Sequence, residues 1–521
     1  MKQLLLMTDI ILLQPKCGVW DIMGVRAPTG LLAIGAVPVH KGLKVVLIDQ
    51  RINFQWEEEV KKQISAGARI ICLTTMVGEQ ILYMMNASKY VKSLNPNVLT
   101  ILGGSWAQIQ PEMCMQDKNI DVICYGEGDY VLSELMEYSQ GTKKLEQIKG
   151  IVYRNKQGEI KKTPLSPFIK DLDQLPPIPY DLINLKNYAA VGFRPDKPSM
   201  ALITSRGCKF RCTFCNIVTL SKSVTETGEP ITNQWRGYSV KRLMADLEHL
   251  EKKYGIIDFY FNDDLISGSH NRFVEFVKAL AESGKDYNWG TAGIRGDHIL
   301  RLDDETMENL VKSGCKNLDV GVESGNPRML KLMKKDTTIE VIRKVNQKMS
   351  KFPIIIKYTF MGGFPTETEE EFMDTVKFRK ILQEENEYAV APIFFYTPYP
   401  GTEMFQVAID NGFQPPVNLE EWANFNYNTW YHKYPCWLTK SKIRLVENAV
   451  FLSYFSDKKM GYKYTNPLLR TLFKMYHPLA KFRYDHGYYQ FMAEKKLAIL
   501  LSKINNHIDL FNRAQKKSSS A

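Results

Sequence analysis

Three cysteines stand close together near the middle of this 521-residue chain. They lie in the run Gly207-Cys208-Lys209-Phe210-Arg211-Cys212-Thr213-Phe214-Cys215. Three thiolates on one short loop can bind three irons of a four-iron cluster and leave the fourth iron open to a small molecule. Structural zinc sites usually have four protein ligands, and no partner pair of Cys or His follows. The spacing predicts an iron–sulfur cluster; a structural zinc loop or buried cysteines without a metal are the alternatives.

The cysteine loop follows the first of six apolar runs that alternate with helical patterns. The runs are Met200–Thr204, Ile257–Phe261, Asn288–Gly293, Asn317–Gly321, Ile354–Met361 and Glu387–Phe395. Helical spacing lies between them at Val240–Tyr254, Asn271–Ser283, Asp304–Ser313 and Glu367–Glu384. This alternation predicts an open or partial (β/α)6 barrel of the TIM type over residues 200–402, with its site at the carboxyl-terminal mouth.

Residues 1–140 alternate in the same way. The predicted strands are Leu4–Leu13, Lys44–Asp49, Ile70–Thr75, Val98–Gly104 and Asp121–Tyr125. The predicted helices are Gly30–Lys41, Trp56–Ser65, Gly78–Leu94 and Tyr130–Tyr138. The pattern indicates a doubly wound, Rossmann-like α/β domain whose ligand lies at the carboxyl ends of the strands. No G-x-G-x-x-G follows the first strand, which disfavours a nicotinamide or flavin dinucleotide.

Two further regions complete the predicted organisation. Residues 141–199 read as a linker with a hairpin, Gly150–Tyr153 and Glu159–Lys162, followed by the proline-rich stretch Leu175–Pro179. Residues 403–521 read as a mostly helical, basic domain that covers the substrate as a lid, and its end, Gln515–Ala521, as disordered.

Composition favours an ordinary folded protein of a reducing compartment. Hydrophobic residues make up 44% and charged residues 24% of the chain. Outside the cluster run the cysteines are scattered, which indicates the cytoplasm. The apolar start, Met1 to Leu13, contains Asp9 and reads as a strand rather than a signal peptide. No stretch reaches the ~20 apolar residues of a membrane span.

The net charge of +11 belongs to the end of the chain, since residues 440–521 hold 16 Lys or Arg against five Asp or Glu. Aromatic residues interleave with these bases. The pattern is typical of a helical core with a solvated face; the alternative is a platform for an acidic or lipid-borne substrate with peripheral membrane contact. Nucleic acid is not expected. We interpret His432, His477 and His486 as structural.

The run from Thr204 to Cys215 resembles the cluster loop of the radical S-adenosylmethionine superfamily. The resemblance implies that Cys208, Cys212 and Cys215 bind a 4Fe-4S cluster and that Phe214 packs near the adenine. In that family S-adenosylmethionine chelates the open iron, and reduction of the cluster yields a 5′-deoxyadenosyl radical. An external electron donor of the flavodoxin or ferredoxin type is then expected.

Further segments match the same family pattern in order. Asp263 and Asp264 stand where the family holds the methionine amino group, for which a carboxylate is chemically suited because an ammonium only donates; the alternative is that they cap the next helix. Glu323 and Ser324 resemble the segment that contacts ribose and methionine. Arg295 is expected to meet the methionine carboxylate or to be a solvated side chain. Gly363 lies in a turn that resembles the one near the adenine, and Tyr399-Pro400-Gly401-Thr402 resembles the turn that closes the barrel.

The first domain resembles the cobalamin-binding domain that precedes this barrel in one subclass. The resemblance rests on domain order, on Pro28-Thr29-Gly30-Leu31 and on strand-end loops with the expected cofactor-binding residues Thr75, Gly103, Gly104, Ser105, Gly126 and Glu127. The glycines could instead simply make tight turns. The loop Gly18–Gly24 lacks the D-x-H-x-x-G histidine, and His40 falls on the wrong side of the first helix. Cobalamin without a histidine lower ligand is therefore expected; the alternative is a degenerate domain that serves as scaffold or lid.

The resemblance implies a methyltransferase acting on an unactivated carbon of a small-molecule or lipid-like substrate, by hydrogen abstraction and methyl transfer from methylcobalamin. An oxidative cyclase or a lipid- or tetrapyrrole-tailoring enzyme of the same architecture is the alternative. A methylthiotransferase is disfavoured because Cys17, Cys72, Cys114 and Cys124 show no grouping for a second cluster. A non-catalytic metal-binding or interaction protein is the hypothesis from another class.

Overall fold

The structure is a computed structural model. It describes residues 7–18, 21, 25–188, 194, 197–427, 429–459, 467–490, 492 and 494–495. The predictions for Leu4–Leu6, for most of the loop Gly18–Gly24 and for Gln515–Ala521 lie outside these residues. Within them, no helix is both long enough and apolar enough to cross a membrane.

The first domain is built on one twisted sheet. In the described part its strands are β1 (Ile10–Gln14), β2 (Val45–Asp49), β3 (Ile70–Thr74), β4 (Leu99–Gly103), β5 (Val122–Cys124), β6 (Ile151–Arg154) and β7 (Ile160–Lys162). Their order is β2-β1-β3-β4-β5-β6-β7. The pairs from β2 to β5 are parallel, as predicted. All five residues of β1 are buried, as expected for a parallel strand covered on both faces.

Helices cover the two faces of this sheet. They are Thr29–His40, Trp56–Ser65, Gln80–Leu94, Ser105–Ile109, Pro111–Cys114 and Val131–Ser139, with 3-10 turns at Leu145–Gln147, Leu172–Gln174, Tyr180–Leu182 and Leu185–Asn187. Two separate apolar clusters pack on opposite faces of the central strands, since Ile11 and Leu13 belong to one and Ile10 and Leu12 to the other. The doubly wound arrangement is confirmed.

The predicted hairpin of the linker is an integral part of the first sheet. β6 pairs antiparallel with β5 through Ile123 and Val152, and β7 pairs antiparallel with β6. Ile151 and Val152 are fully buried. The boundary at residue 140 therefore cuts through a continuous sheet, because the apolar face of β6 completes the core beside β5.

The second domain contains a parallel sheet that forms a partial barrel. Its strands are β8 (Ser199–Leu202), β13 (Asp258–Phe261), β14 (Asn288–Ile294), β15 (Cys315–Glu323), β16 (Ile355–Gly362), β17 (Ala389–Val390) and β18 (Ile393–Phe395), while the short strands β9 (Ser205–Arg206), β10 (Lys222–Val224), β11 (Pro230–Thr232) and β12 (Arg236–Gly237) form two small antiparallel pairs beside it. The order is β17-β16-β15-β14-β13-β8, with β18 also on β16.

The sixth predicted strand is split into β17 and β18. Both pieces pair in parallel with β16, and Pro392 stands between them. Proline has no amide hydrogen to give to the ladder, so the strand is interrupted at that residue. The carbonyl of Pro392 still accepts from Phe360 N at 3.1 Å, which keeps the two pieces in line.

The barrel helices lie between the strands at Ile217–Leu220, Val240–Tyr254, His270–Glu282, Gly296–Leu300, Asp304–Lys312, Pro327–Leu332, Ile339–Met349 and Glu369–Glu385. Most of the longer ones begin at a side-chain cap. Ser239, Ser269, Asp303 and Thr338 each accept a hydrogen bond from a backbone amide in the first turn. Thr368 and Glu371 form a reciprocal capping box.

The described residues after the barrel are mostly helical and pack on both preceding domains. Its helices are Glu403–Asp410, Leu419–Ala423, Trp430–Lys433, Lys440–Phe455 and Pro467–Asp485. Trp422 contacts Trp106 of the first domain, with ring centroids 4.6 Å apart. Tyr431 stacks on Phe395 of the barrel at 3.8 Å. The C-terminal segment therefore holds the two α/β domains together.

Candidate functional site

The cysteine loop follows β8 and β9 at the mouth of the barrel. It begins at Gly207, whose φ is +83° and where a Cβ would lie 2.1 Å from Gln234 O. Only glycine fits this turn. Farther along, Thr213 N donates to Met333 O at 3.0 Å, and Thr213 O accepts from Met404 N at 2.8 Å. Backbone hydrogen bonds thus fix the loop both to the barrel, at Met333, and to the helix Glu403–Asp410 that follows the barrel.

The three thiols Cys208, Cys212 and Cys215 are half-buried on this loop. Burial raises the pKa of each thiol, that of Cys215 to about 12. Iron must therefore displace their protons on binding. Among the described residues, no group of three or more His, Cys, Asp or Glu side chains is arranged around a single metal ion. A cluster does not require that arrangement, because each thiolate binds a different iron.

Asp263, just after the end of β13, is buried beneath the loop. Its Oδ1 accepts from Thr204 N at 2.9 Å and from the hydroxyls of Thr204 and Ser205. Its Oδ2 is buried and has no hydrogen-bond partner. Burial raises the pKa of this carboxyl to about 6. An unused, buried acceptor is costly unless a donor meets it, so this carboxyl fits a cofactor that carries an ammonium group.

Asp264 is exposed at the mouth and accepts from Gly207 N at 3.2 Å. Neither aspartate caps the next helix, because Ser269 caps it by accepting from Arg272 N. The capping alternative is therefore wrong for both. Asp264 instead links the end of β13 to the start of the cysteine loop.

Glu323, at the end of β15, is held in a strained conformation. Its φ is +70°, and the register between β15 and β16 shifts at this point. Its Oε1 accepts from Lys335 Nζ at 2.7 Å, and a Cβ on Gly321 would come within 2.4 Å of that oxygen. A left-handed, non-glycine residue costs about 1–3 kcal/mol and is kept where function needs it. Ser324 is fully buried, and its hydroxyl lies 3.0 Å from that of Thr375.

Arg295 is not a solvated side chain. It is 9% exposed, and its guanidinium donates to Asp297 Oδ1 and to the carbonyls of Lys335 and Asp336 at 2.7–2.9 Å. It also lies over the ring of Phe210, within the cysteine loop, at 3.6 Å. The solvated alternative is therefore wrong, and this arginine packs against the cysteine loop through the ring of Phe210.

The turn after β16 contacts the cysteine loop through aromatic rings. Gly363 has φ +85°, and its amide donates to Glu367 Oε2 at 2.7 Å. The next residue, Phe364, lies 6.0 Å from Phe214 and stacks on Tyr396 at 4.5 Å. Phe214 thus belongs to an apolar wall beside the cysteines. Its contact with an adenine stays a prediction.

The loops at the carboxyl ends of β3 and β4 are joined by backbone hydrogen bonds. Thr75 N donates to Gly103 O at 3.0 Å, and Thr75 O accepts from Trp106 N at 3.1 Å. Gly104, with φ +93°, is required here because a Cβ would lie 2.5 Å from Thr75 O. Gly103 differs, since a Cβ there would meet nothing within 4 Å. Ser105 begins the following helix.

A cavity of about 140 Å³ lies where the two domains meet. Its lining includes Cys17, Met76, Ser105, Trp106, Asn216 and Tyr399. Cys17 follows β1 and Met76 follows β3, the pair of strands at which the order of the sheet reverses and ligands bind. Asn216 is the residue after the last cluster cysteine. The cavity thus joins the end of the first sheet to the cysteine loop.

Gln80 fixes the two loops on the first-domain side of this cavity. Its side chain is buried; Oε1 accepts from Met76 N at 2.8 Å, and Nε2 donates to Pro15 O and to Cys17 Sγ at 3.3 and 3.0 Å. Met76 is 39% exposed at the cavity. No histidine is among the described residues that line it.

Glu127 lies in a charged junction between the domains rather than at an open ligand site. Its carboxylate pairs with Arg236 at 2.8 Å and with Arg206 at 3.2 Å, while Arg206 also forms a two-pronged bond with Asp129. Burial opposes ionisation, but the two arginines hold the pKa of Glu127 below its usual value. Gly126 lies in the same turn, and a Cβ added to it would lie 3.7 Å from the side chain of Leu165. Our expectation that Glu127 contacts cobalamin is not supported, because its oxygens already have partners.

Sequence reasoning missed a buried pair that ties the barrel to the C-terminal domain. Lys442 Nζ donates to Glu367 O and lies 3.7 Å from Glu367 Oε2. Both side chains are buried. Glu367 begins a segment predicted to be helical, but nothing in the sequence relates it to a lysine 75 positions away. The structural role of the three histidines of the basic region stays a prediction; His432 pairs with Glu447, and His477 and His486 contact backbone carbonyls.

Known proteins share both halves of this arrangement. The family model described as the Radical SAM superfamily matches residues 202–379, and that of the B12 binding domain matches residues 21–136. An uncharacterized methyltransferase of Pyrococcus horikoshii is 28% identical over 422 residues, which cover 81% of this chain and 87% of that protein. The anaerobic magnesium-protoporphyrin IX monomethyl ester cyclase of Rubrivivax gelatinosus is 25% identical, over 82% of this chain and 75% of that protein.

A solved structure has the same fold along nearly the whole chain. The cobalamin-dependent S-adenosylmethionine radical enzyme OxsB superposes with a TM-score of 0.69 at 17% identity, covering 97% of this chain and 76% of OxsB. That structure holds aqua-cobalamin and S-adenosylmethionine, the two cofactors that the matched domains imply. The chain belongs to the radical SAM superfamily, with a B12-binding domain before its radical SAM domain.

Proposed function

We propose that this protein is a cobalamin-dependent radical SAM methyltransferase that acts on an unactivated carbon of a small molecule or lipid. The observation that carries the proposal is the shared cavity. Its wall combines Met76 and Trp106 from the first domain with Asn216, next to the cluster cysteines, and Tyr399 from the barrel. This cavity therefore borders the strand-end loops of the first domain and the cysteine loop at once.

We assign residues to each cofactor from the chemistry of their groups and from the family resemblance. Cys208, Cys212 and Cys215 hold the cluster. Asp263, Asp264 and the strained Glu323 offer acceptors for S-adenosylmethionine, and Gly363 with Phe214 forms the apolar side of its pocket. Thr75, Gly103, Gly104 and Ser105 receive cobalamin. When bound, the cluster with S-adenosylmethionine supplies a carbon radical, and cobalamin supplies the methyl group.

The overall reaction consumes two S-adenosylmethionine molecules and two electrons. The C–H hydrogen of the substrate passes to 5′-deoxyadenosine and a methyl group takes its place, so the products are the methylated substrate, S-adenosylhomocysteine, methionine and 5′-deoxyadenosine. The electrons come from an external donor of the flavodoxin or ferredoxin type in a reducing cytoplasm. The protein holds the reactants in line and excludes water with the aromatic wall of Trp106, Tyr399 and Phe425.

We further infer that cobalt bound here has no histidine beneath it. The described residues that line the cavity after β1 and β3 are Cys17 and Met76 to Glu79. Burial raises the pKa of Cys17 to about 12, so this thiol stays protonated. Met76 then remains as the exposed, uncharged side chain at the point where the strand order reverses.

An oxidative cyclase is the second candidate, favoured by the similarity of the Rubrivivax gelatinosus cyclase over 82% of this chain. It would use the same cofactors and the same cavity. Methylation yields S-adenosylhomocysteine beside 5′-deoxyadenosine, whereas cyclisation need yield only the latter. The identity of the nucleoside products therefore separates the two candidates.

Cofactor content after anaerobic reconstitution tests the site. We expect about four irons and one corrinoid per chain, together with reductive cleavage of S-adenosylmethionine. Cys212→Ala should lose the cluster and the cleavage. Cys436→Ala, a half-buried thiol of the C-terminal domain, should keep both. Cleavage that survives in Cys212→Ala would contradict the cluster assignment, and failure to bind any corrinoid would remove the methyltransferase proposal.

A further inference from the structure

The helix Pro467–Asp485 carries apolar side chains on two faces. One face is buried against the helix Lys440–Phe455 and the barrel, with Phe473, Ala480 and Tyr484 each no more than 3% exposed. The other face points to solvent. Its apolar residues are Leu472, Met475, Leu479 and Phe482, which are 37%, 73%, 49% and 53% exposed.

The spacing of these four residues places them on a single strip of the helix surface. Steps of three, four and three residues bring side chains to one side of a helix. The strip continues past the helix end, where Phe482 lies 4.3 Å from His486 and 6.0 Å from the ring of Tyr488, itself 58% exposed. We call Leu472, Met475, Leu479, Phe482 and Tyr488 the exposed stripe. A contiguous exposed apolar surface of this kind marks an interaction site.

The charge around the exposed stripe limits what can cover it. The exposed bases of the helix are Arg470, Lys474 and Lys481. Lys481 also pairs with Asp485, and Arg483 is largely covered by its pair with Glu494. Residues 440–521 account for the whole net charge of +11. A second copy of the chain would bring a like charge to the same place. The chain's own residues 496–521 would also add positive charge, since they hold five Lys or Arg and one Asp.

We propose that the exposed stripe docks on an anionic membrane surface. Apolar and aromatic side chains enter the boundary between headgroups and acyl chains, and the surrounding lysines and arginines pair with anionic lipids. Tyrosine suits such a boundary because its ring is apolar and its hydroxyl is polar. The proposal concerns a partner of the C-terminal domain and does not depend on the chemistry proposed for the cavity.

Vesicle binding by the full-length protein tests this inference. The protein is mixed with vesicles of phosphatidylcholine alone or with added phosphatidylglycerol and then separated by flotation. We expect about tenfold more protein on the anionic vesicles, with binding weakened by salt. The double variant Met475→Asp/Phe482→Asp should lose that binding, and Met475→Ser should weaken it in part.

The matched control is Val417→Asp, because Val417 is also apolar and 70% exposed but lies outside the exposed stripe. It should bind vesicles as the unchanged protein does. Thermal melting shows that each variant is folded. The inference is overturned if the full chain ignores anionic vesicles, or if the double variant still binds them. It is also overturned if light scattering shows a dimer that the double variant dissociates while no vesicles are bound.

Discussion

Met76 is the single residue whose change most directly reports where cobalamin sits. Its backbone amide donates a hydrogen bond to Gln80, which fixes the residue just after β3, and its side chain is exposed to the cavity. If cobalamin binds at this loop as proposed, Met76→His would offer an imidazole nitrogen to cobalt, because Gln80 holds the backbone amide of residue 76 and not its side chain. We expect nitrogen hyperfine splitting in the electron paramagnetic resonance spectrum of the bound cobalt(II) corrinoid, with no such splitting in the unchanged protein.

The control for this experiment is Leu82→His, on the solvent side of the helix that follows Met76, where Leu82 is 39% exposed. It should bind corrinoid without nitrogen splitting. An unchanged spectrum in Met76→His, with corrinoid bound, would show that Met76 is not beneath cobalt. If the unchanged protein bound no corrinoid at all, that result would instead contradict the function proposed for the cavity.

The positions of individual site residues were predictable where those residues follow the end of a strand. The three cysteines and Asp263 follow β8 and β13, and the strand pattern alone brings them to one mouth. Glu127 and Arg295 were not predictable in their contacts. The arginines that pair with Glu127 lie 79 and 109 positions farther along, and the carbonyls that hold Arg295 lie 40 and 41 positions away. Such pairings depend on how loops meet in space.

Between elements, the junction of Asp129 and Glu127 with Arg206 couples the first domain to the cysteine loop. Arg206 lies two residues before Cys208, and Asp129 follows β5. Asp129→Asn removes the negative charge from a largely buried ion pair and leaves the positive charge of Arg206 poorly neutralised. We expect the free energy of unfolding to fall by about 3 kcal/mol. We expect iron and corrinoid content to be retained while the yield of S-adenosylhomocysteine per 5′-deoxyadenosine falls.

Lys170→Gln provides a matched control, because it also breaks an ion pair between segments, with Glu226, but both partners are more than 70% exposed. Its product ratio should stay that of the unchanged protein. If Asp129→Asn also left the product ratio unchanged, the junction would have no part in aligning the two cofactors.

The Glu367–Lys442 contact between the β16 turn and the helix Lys440–Phe455 predicts a pH effect. Burial raises the pKa of Glu367 from 4.5 to about 7, although Lys442 nearby opposes the shift, and Glu371 adds to it. At pH values between 4.5 and about 7, Glu367 carries its proton more often in the folded protein than in the unfolded chain. The contribution of this residue to the free energy of unfolding therefore falls as pH rises. Glu367→Gln should remove that dependence.

Thermal unfolding at pH 5, 6 and 7 measures this effect. Over this range we expect the free energy of unfolding of the unchanged protein to fall by on the order of 2 kcal/mol more than that of Glu367→Gln. Glu370→Gln, an exposed carboxylate in the first turn of the helix Glu369–Glu385 that follows Glu367, should behave as the unchanged protein. Parallel pH profiles for Glu367→Gln and the unchanged protein would show that the carboxyl is already ionised throughout.

The order of elements was largely predictable, because buried parallel strands and capped helices have strong local patterns. The helix Trp56–Ser65 and the helix Val240–Tyr254 have the predicted bounds. The hairpin β6–β7 was recognised, but its place at the edge of the first sheet was not, since antiparallel pairing with β5 is a long-range contact. Short helices such as Ser105–Ile109 are too brief to leave a periodic pattern.

At the scale of the whole molecule, the C-terminal domain completes the cavity that the other two domains begin. Phe425 and Tyr427 line it beside Trp106, and Trp422 packs on the same tryptophan. Composition located the basic charge in this domain but could not place its aromatic residues, because they are divided between the cavity, the interior and the exposed stripe. The contacts of the C-terminal domain with both other domains depend on tertiary packing, which composition does not reveal.

The most direct test of the proposed methyltransferase is the pair of nucleosides formed by the reconstituted protein. The enzyme with cluster and corrinoid bound is given a strong reductant and S-adenosylmethionine, without any other substrate, and both products are quantified. We predict S-adenosylhomocysteine in an amount that follows the bound corrinoid, together with 5′-deoxyadenosine. Formation of 5′-deoxyadenosine alone, with corrinoid fully bound, would contradict methyl transfer.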